Sequence, residues 1–318
     1  MERIRIKNES KKGFDSAFNE FINEKSIEGL SEKTLEKYSI CWNEFVGSIS
    51  ADSTDVISNT SVNEYIAYLK AFTGACDITR RVRIQQVRVA IYWFQNRGYT
   101  PRFKIKLPKA VTKVKDIYTE EELKRLLVKP NLHKCDFSEY RNWVVVNFLI
   151  GTGCRANTLV NIKVKDVDLV NAQVRYTTTK NKRQQIVPLP LSLVKVLNTY
   201  LVKTRLNQND DNYVFPNSYG NQWNSNSLSN RLREYNRRHG VNKTGVHLFR
   251  HTFASYWIKT GGDPFRLQKI LGHSSLKMVQ NYVRMYSDDI SEAYLKSNPL
   301  ESLSKSNKYI YLRGVNNG

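Results

Sequence analysis

Residues 101–115 constrain this chain more than any other stretch. From Pro101 to Lys115 there are two prolines, six basic residues and no acid. Proline fixes φ and removes a backbone donor, and neighbouring like charges repel, so the stretch is semi-extended and cationic. It reads as a linker, with the boundary between two domains near residue 113. The expected organisation is therefore 1–112 and 113–318, two medium domains within a chain of 318 residues.

The first domain reads as helices. Phe14 to Lys25 places Phe14, Phe18, Phe21 and Ile22 on one face. A Ser-x-x-Thr start at Ser31 opens a second helix carrying Leu35, Tyr38, Ile40, Trp42 and Phe45. Ser61 opens a third, through Tyr65, Ile66 and Leu69. Asp77 or Thr79 opens a fourth that ends near Gly98. The fourth carries Val82, Val89, Tyr92, Trp93 and Phe94 as its apolar positions and is decorated by Arg80, Arg81, Arg83, Arg88 and Arg97. An ordinary bundle helix with a solvated basic face would look like this. So would a helix laid against phosphates, and the overall charge favours that second reading.

Lys and Arg total 50 against 29 Asp and Glu, a formal net charge of +21. An excess of this size points to nucleic acid, an anionic membrane surface or a ribosomal setting. The longest apolar run, Trp143 to Ile150, contains Asn147 and is too short to span a bilayer. Met1 to Lys12 is charged and lacks the apolar core of a signal peptide. The expected location is the cytoplasm, and the expected partner is nucleic acid rather than a membrane. The four cysteines, Cys41, Cys76, Cys135 and Cys154, show neither C-x-x-C pairing nor metal-ligand spacing. No cofactor or metal is expected.

The second domain is mixed. Tyr118-Thr119-Glu120-Glu121-Glu122 starts a helix with acids in its first turn, where the helix dipole favours them. Trp143 to Ile150 is a buried helix. Ala172 to Thr177 and Gln184 to Pro188 pair as strands around the polar turn Lys180-Asn181-Lys182. Leu191 to Leu201 is helical, Asn212 to Pro216 a short strand, and Asn221 to Asn230 a loop entering a helix. His247 to Lys259 is a helix closed by Gly261-Gly262, and Asp263-Pro264 opens the next. Ser274 or Ser275 starts the helix bearing Tyr282. The fold class is thus mainly α with a small β-sheet: a helical domain followed by a mixed α/β one.

Four local patterns follow one another in this domain. They are Gly151-Thr152-Gly153-Cys154-Arg155; Lys180 followed by Gln185-Ile186-Val187-Pro188-Leu189; His247-Leu248-Phe249-Arg250-His251; and Leu271-Gly272-His273-Ser274-Ser275 followed by Tyr282. Each alone is weak, since a surface arginine, a structural histidine or one of 18 tyrosines is commonplace. Together, with Arg250, His273 and Tyr282 lying 3, 26 and 35 positions after His247, the set resembles the tyrosine recombinases, the family of lambda-type integrases and Xer-type recombinases. The resemblance covers nearly the whole chain. It implies a helical core-binding domain, a catalytic domain, and a site-specific DNA recombinase that works through a 3′-phosphotyrosine intermediate in integration, excision or resolution of DNA.

The residue types suit metal-free phosphoryl transfer. Arg155 and Arg250 match the positions that would clamp the non-bridging oxygens with paired, planar hydrogen bonds. His247, one helical turn before Arg250, would face the same way and accept the Tyr282 proton. His273 follows a tight glycine turn beside a helix N-terminus, where backbone N–H groups favour anions. Neighbouring arginines would lower the tyrosine pKa from about 10. The resemblance makes Tyr282 the nucleophile and Lys180 the general acid for the leaving 5′-oxygen, and leaves His251, Thr252 and Phe253 as packing or supporting residues. The basic residues assigned to DNA are Arg80, Arg81, Arg83, Arg88, Lys104, Lys106 and Lys109.

Two positions depart from the family pattern. Thr158 stands where an acid often follows the first arginine, and Val279 where a threonine often precedes the nucleophile. Inverted half-sites, a homotetramer on DNA and accessory DNA-bending proteins are what the resemblance implies for assembly. Because the helices of the first domain begin almost immediately, the additional N-terminal arm-binding domain of lambda-type integrases is not expected. The tail is expected to hold a helix from Ser287 to Lys296 and a short strand at Tyr309-Ile310-Tyr311-Leu312, either frayed or docked on a neighbouring protomer. A nicking-closing enzyme like type IB topoisomerases, or a DNA-binding regulator on the same fold, are the alternatives.

Overall fold

A computed structural model describes residues 12–109, 116–177, 184–273 and 275–285. The chain divides into two compact units, Met1–Val114 and Lys115–Gly318. Lys180, the tail helix and the tail strand lie outside the described residues.

Unit one is a four-helix arrangement: α1 (Phe14–Ile27), α2 (Glu32–Val46), α3 (Asn59–Phe72) and α4 (Asp77–Arg97). Its core is aromatic. Trp42 stacks on Phe18 at 5.2 Å and meets Phe94 edge-on at 5.2 Å, while Phe45 meets Tyr65 edge-on at 5.5 Å. The third helix starts earlier than its Ser61 signal suggests. Ser58 is the N-cap, and Ser61 is the reciprocating residue of its capping box. On α4 the buried stripe is Ile84, Val87, Ala90, Ile91, Trp93 and Phe94, whereas Val82 is 47% exposed. Val82 falls outside that stripe, between the half-buried Arg81 and Arg83. Gly98, in the left-handed region at φ 76°, ends the helix.

Residues 101–109 are extended, and they are built into this unit. Ile105 is buried in the core, with Phe103 and Leu107 packed beside it. The Ile105 N–H donates to the Tyr92 hydroxyl at 3.1 Å. Lys104 and Lys106 therefore alternate outward with the period of an extended chain.

Unit two begins with α5 (Glu120–Leu126), capped by Thr119 and Glu122 in reciprocal hydrogen bonds. Its central helix is α6 (Phe137–Thr152), which packs against α8 (Leu191–Thr204), α9 (Ser225–Arg238) and α10 (Val246–Lys259). Such all-round packing explains why α6 is buried on nearly every side from Tyr140 to Leu149 rather than along one stripe. A short α7 (Ala156–Leu159) follows. The sheet has order β1 (Val167–Asp168), β2 (Gln173–Tyr176), β3 (Gln185–Pro188), antiparallel throughout, with Val174 opposite Val187. The expected strand at Asn212–Pro216 is not one. Tyr213 makes a single isolated bridge to Lys163. The Pro216 carbonyl serves the buried Arg141 guanidinium instead, at 2.7 Å. Last come α11 (Pro264–Leu271), capped by Asp263, and α12 (Lys277–Met285), both against α10. No helix among the described residues is long and apolar enough to cross a membrane.

Candidate active site

The corner that carries Arg155 is made by the end of α6. Gly153 adopts φ 61° and its N–H reaches the Leu149 carbonyl at 2.9 Å. The Thr152 hydroxyl donates to the Phe148 carbonyl at 2.7 Å and accepts from the Cys154 N–H at 3.3 Å. A side chain at 153 would meet Phe253 and Leu271, so only glycine permits this close turn. Arg155 then stands at the start of α7, half-buried, with burial drawing its pKa down.

Arg250 projects from α10 and is 5% exposed. Its guanidinium donates to the Gly153 carbonyl at 3.0 Å and to the Leu271 carbonyl at 2.7 Å. Arg155 reaches the Leu271 and Gly272 carbonyls, each at 3.4 Å. Burial, reinforced by Arg155, pulls the Arg250 pKa to about 10, which leaves it charged at neutral pH. Among the described residues neither arginine is in an ion pair. Two guanidinium charges thus share one carbonyl at the C-terminal end of α11, where the helix dipole is negative. Gln185 on β3 joins the same rim, donating to the Lys269 and Ile270 carbonyls at 2.5 and 2.8 Å.

Here the expectation for His273 is corrected. Gly272, at φ 60°, caps the C-terminus of α11, and α12 begins only at Lys277. His273 therefore follows a carbonyl end rather than flanking an N–H end. It is 8% exposed, and its backbone N–H bonds the Gln268 carbonyl at 3.0 Å. The positive charge at this carbonyl end comes from the guanidiniums of Arg155 and Arg250.

Tyr282 sits on α12 in a small apolar cluster with Ala254, Leu267, Leu271 and Val279, and is 5% exposed. Val279 is fully buried there, which accounts for an apolar side chain at that position. The Tyr282 hydroxyl hydrogen-bonds His251 Nδ1, with the two rings 5.8 Å apart. Its pKa is raised by burial, and the opposing pull of Arg250 is smaller. The expected lowering is thus reversed, because desolvation of the phenolate outweighs one nearby cation.

The histidine in contact with Tyr282 is His251, which the sequence placed among supporting residues. His247 is exposed at the second residue of α10, whereas Arg250 is buried. Three residues turn a helix by about 300°, so neighbours at that spacing share a side without sharing a depth. Thr158 is buried on α7 and brings no negative charge to the arginines. Thr252 is buried too, and its hydroxyl accepts from the Tyr118 N–H at 3.0 Å. Phe253 packs against the Tyr282 cluster.

The basic residues assigned to DNA fall into two groups. Arg80 pairs with Asp77, Arg81 donates to the Pro108 carbonyl, Arg83 pairs with Glu44, and Arg88 lies over the Tyr92 ring at 5.7 Å. Lys104, Lys106 and Lys109 are exposed.

Known proteins resemble this chain in sequence and in fold. Residues 117–288 match the phage integrase family. Tyrosine recombinase XerA of Saccharolobus solfataricus is 27% identical over 284 residues, covering 88% of this chain and 92% of its own length. Tyrosine recombinase XerD of Staphylococcus haemolyticus is 30% identical over 203 residues, covering 63% of this chain and 68% of its own. The fold is similar to XerH site-specific recombinase bound to difH substrate, with TM-score 0.65 and 18% identity over 91% of this chain and 90% of that one. It is similar also to a lambda integrase tetramer bound to a Holliday junction, with TM-score 0.65 and 15% identity over 85% and 80%. The chain belongs to the phage integrase family and is a tyrosine recombinase.

Proposed function

We propose that this recombinase cuts one DNA strand at a time, with Tyr282 as nucleophile and Arg155 and Arg250 as the clamp on the scissile phosphate. The observation that carries this reading is the convergence of both guanidiniums on the Leu271 carbonyl, at the end of the helix against which the Tyr282 helix packs. Phosphate oxygens offer these forks charge-assisted bonds, stronger than those to neutral carbonyls. Tyr282 forms a 3′-phosphotyrosine link. Lys180, in the connection between β2 and β3, protonates the leaving 5′-oxygen, and His247 and His273 hydrogen-bond the phosphate. The link conserves the phosphodiester, so rejoining needs no ATP.

In this reading residues 1–112 form the core-binding domain and 113–318 the catalytic domain. Lys104, Lys106 and Lys109, exposed on an extended strand, contact the DNA backbone together with the arginines of α4. The substrate is double-stranded DNA with inverted half-sites, and four protomers assemble on it, in the manner of the lambda integrase tetramer on a Holliday junction. Accessory bending proteins and a cytoplasmic location complete the proposal.

The test is covalent capture. Purified protein is incubated with fragmented DNA from its source and denatured in detergent, and the ends of protein-bound DNA are sequenced. Adducts at one recurrent inverted site, absent in Tyr282→Phe, are expected. Intact DNA binding without adducts would favour a regulator on the same fold. Adducts without exchange between two sites would favour a nicking-closing enzyme.

A further inference from the structure

A buried phenol can attack phosphorus only after its proton has gone to a group that touches it. Tyr282 is buried, and burial raises its pKa, so loss of that proton to bulk water is doubly disfavoured. Arg250 lies close enough to stabilise a phenolate, yet a guanidinium has no lone pair to accept a proton. The contact the hydroxyl makes is with His251 Nδ1. A ring nitrogen within hydrogen-bonding reach of the proton it must take satisfies the geometric requirement for a general base. His247, four residues earlier on α10, is exposed at the helix start.

We propose that His251 is the proton acceptor for Tyr282 in strand cleavage, a catalytic residue set one helical turn deeper than His247. The proposal rests on Tyr282 being the nucleophile. The Tyr282 proton passes to His251 Nδ1, and the phenolate oxygen forms the new bond to phosphorus. The bond from phosphorus to the 5′-oxygen breaks, and its electron pair leaves on that oxygen, which takes a proton from the general acid assigned to Lys180. In rejoining, the 5′-hydroxyl oxygen attacks phosphorus and its proton returns to the group assigned to Lys180, while the bond from phosphorus to the tyrosine oxygen breaks and the His251 imidazolium returns the proton to Tyr282. No oxidant, metal or nucleotide enters this balance. Among the described residues, the charged and titratable groups brought to this part of the molecule include Tyr282 from α12, Arg250 and His247 from α10, Arg155 ahead of α7, His273 after α11, and Cys154 and Tyr176 beside Arg250.

The experiment is single-turnover cleavage of a nicked duplex carrying the site recovered by covalent capture. Full-length wild type, His251→Ala, His251→Gln, His247→Gln and Tyr282→Phe are compared across pH. A neutral base imposes a rate that falls as the pH drops below its pKa. The proposal expects His251→Ala and His251→Gln to lose rate on the order of 10²–10⁴-fold and to lose that acidic limb. DNA affinity stays unchanged, and added imidazole restores part of the rate to the alanine variant. Glutamine offers an acceptor oxygen for the tyrosine hydroxyl but cannot take its proton, so it separates holding from proton transfer. Wild-type rate in His251→Gln would reduce His251 to a structural prop and overturn the proposal. So would an acidic limb that survives in both His251 variants and vanishes in His247→Gln. Failure of the underlying reading looks different: Tyr282→Phe would still form covalent adducts.

Discussion

Replacing Gly153 by alanine tests how tightly the seat of the two arginines is packed. The residue has φ 61°, and an added Cβ would lie 2.5 Å from Phe253 Cδ1 and 2.9 Å from Leu271 Cδ2. Ordinary carbon contacts are about 3.5–4.0 Å, so one of those side chains must move. The left-handed backbone costs an alanine about 1–2 kcal/mol. Overpacking a filled site adds about 1–3 kcal/mol. Gly261 supplies the control. It has φ 79° with nothing within 4 Å of its Cβ position, so its alanine variant carries the backbone cost alone. The difference between the variants is then about 2 kcal/mol, or a Tm gap of about 4–8 °C for a unit of this size. Scanning calorimetry of the two full-length variants reads it directly. The Gly153 carbonyl also accepts from Arg250, so Gly153→Ala is expected to slow cleavage more than Gly261→Ala does. Equal melting temperatures would refute the reasoning, because they would mean that Phe253 and Leu271 yield without cost.

Three further outcomes are expected. Arg155→Lys keeps the charge but loses the planar fork, and single-turnover cleavage should fall by roughly an order of magnitude or more while gel-shift affinity changes little. Lys104→Ala with Lys106→Ala should weaken DNA binding and flatten the plot of log affinity against log salt by about 0.9 for each phosphate that is no longer neutralised; an unchanged slope would remove these lysines from the interface. Burial raises the pKa of Tyr65, Tyr118, Tyr176, Tyr200 and Tyr235. The folded chain therefore keeps protons that the unfolded chain releases near pH 10, so this stability is whole below about pH 10 and is lost as the pH climbs through the folded values. Urea midpoints at pH 8 and pH 11, with phenolate absorbance followed in parallel, should show a steep alkaline loss; all 18 tyrosines titrating together without unfolding would contradict it.

Sequence legibility followed the range of the forces involved. The helices of unit one were legible because their apolar faces repeat locally, as in Phe14, Phe18 and Phe21, and because Gly98 stops α4 where a left-handed residue is needed. The pairing of β2 with β3 was legible from its alternation, Val174 and Val187 inward. Val214 and Phe215 misled in the opposite way. They are fully buried and β-prone, yet the chain beside them offers one bridge, so burial did not become a strand. His247 and His251 are both one turn or less from Arg250 in sequence. Only the placement of α12, through Val279 and Leu271, decides which of them meets Tyr282. The direction of the helix end at Gly272 was equally non-local, since a glycine turn is the same signal whether a helix is ending or about to begin.

The carbonyl rim of α11 explains why the two arginines should respond differently when a phosphate arrives. Arg250 is held at 2.7 and 3.0 Å, by Leu271 and Gly153, whereas both Arg155 bonds are 3.4 Å long. Hydrogen bonds weaken steeply with length, so Arg155 gives up little by turning to a phosphate and Arg250 gives up more. In the proposed clamp, Arg250 would then be the fixed point and Arg155 the arm that turns to the phosphate. Gln185 matters to this division because its two bonds hold the α11 rim to the strand that follows Lys180. Gln185→Ala removes the amide donor, at roughly 0.5–1.5 kcal/mol per bond. It leaves the Lys269 and Ile270 carbonyls to find other donors. The expected result is a modest drop in Tm together with a larger loss in cleavage of ordinary DNA. On a substrate whose leaving oxygen is replaced by sulfur, which departs without a proton, that cleavage loss should shrink if Lys180 is the general acid proposed above, because Gln185 holds the strand that follows it. An equal loss on both substrates would place the effect of Gln185 on the arginine rim alone.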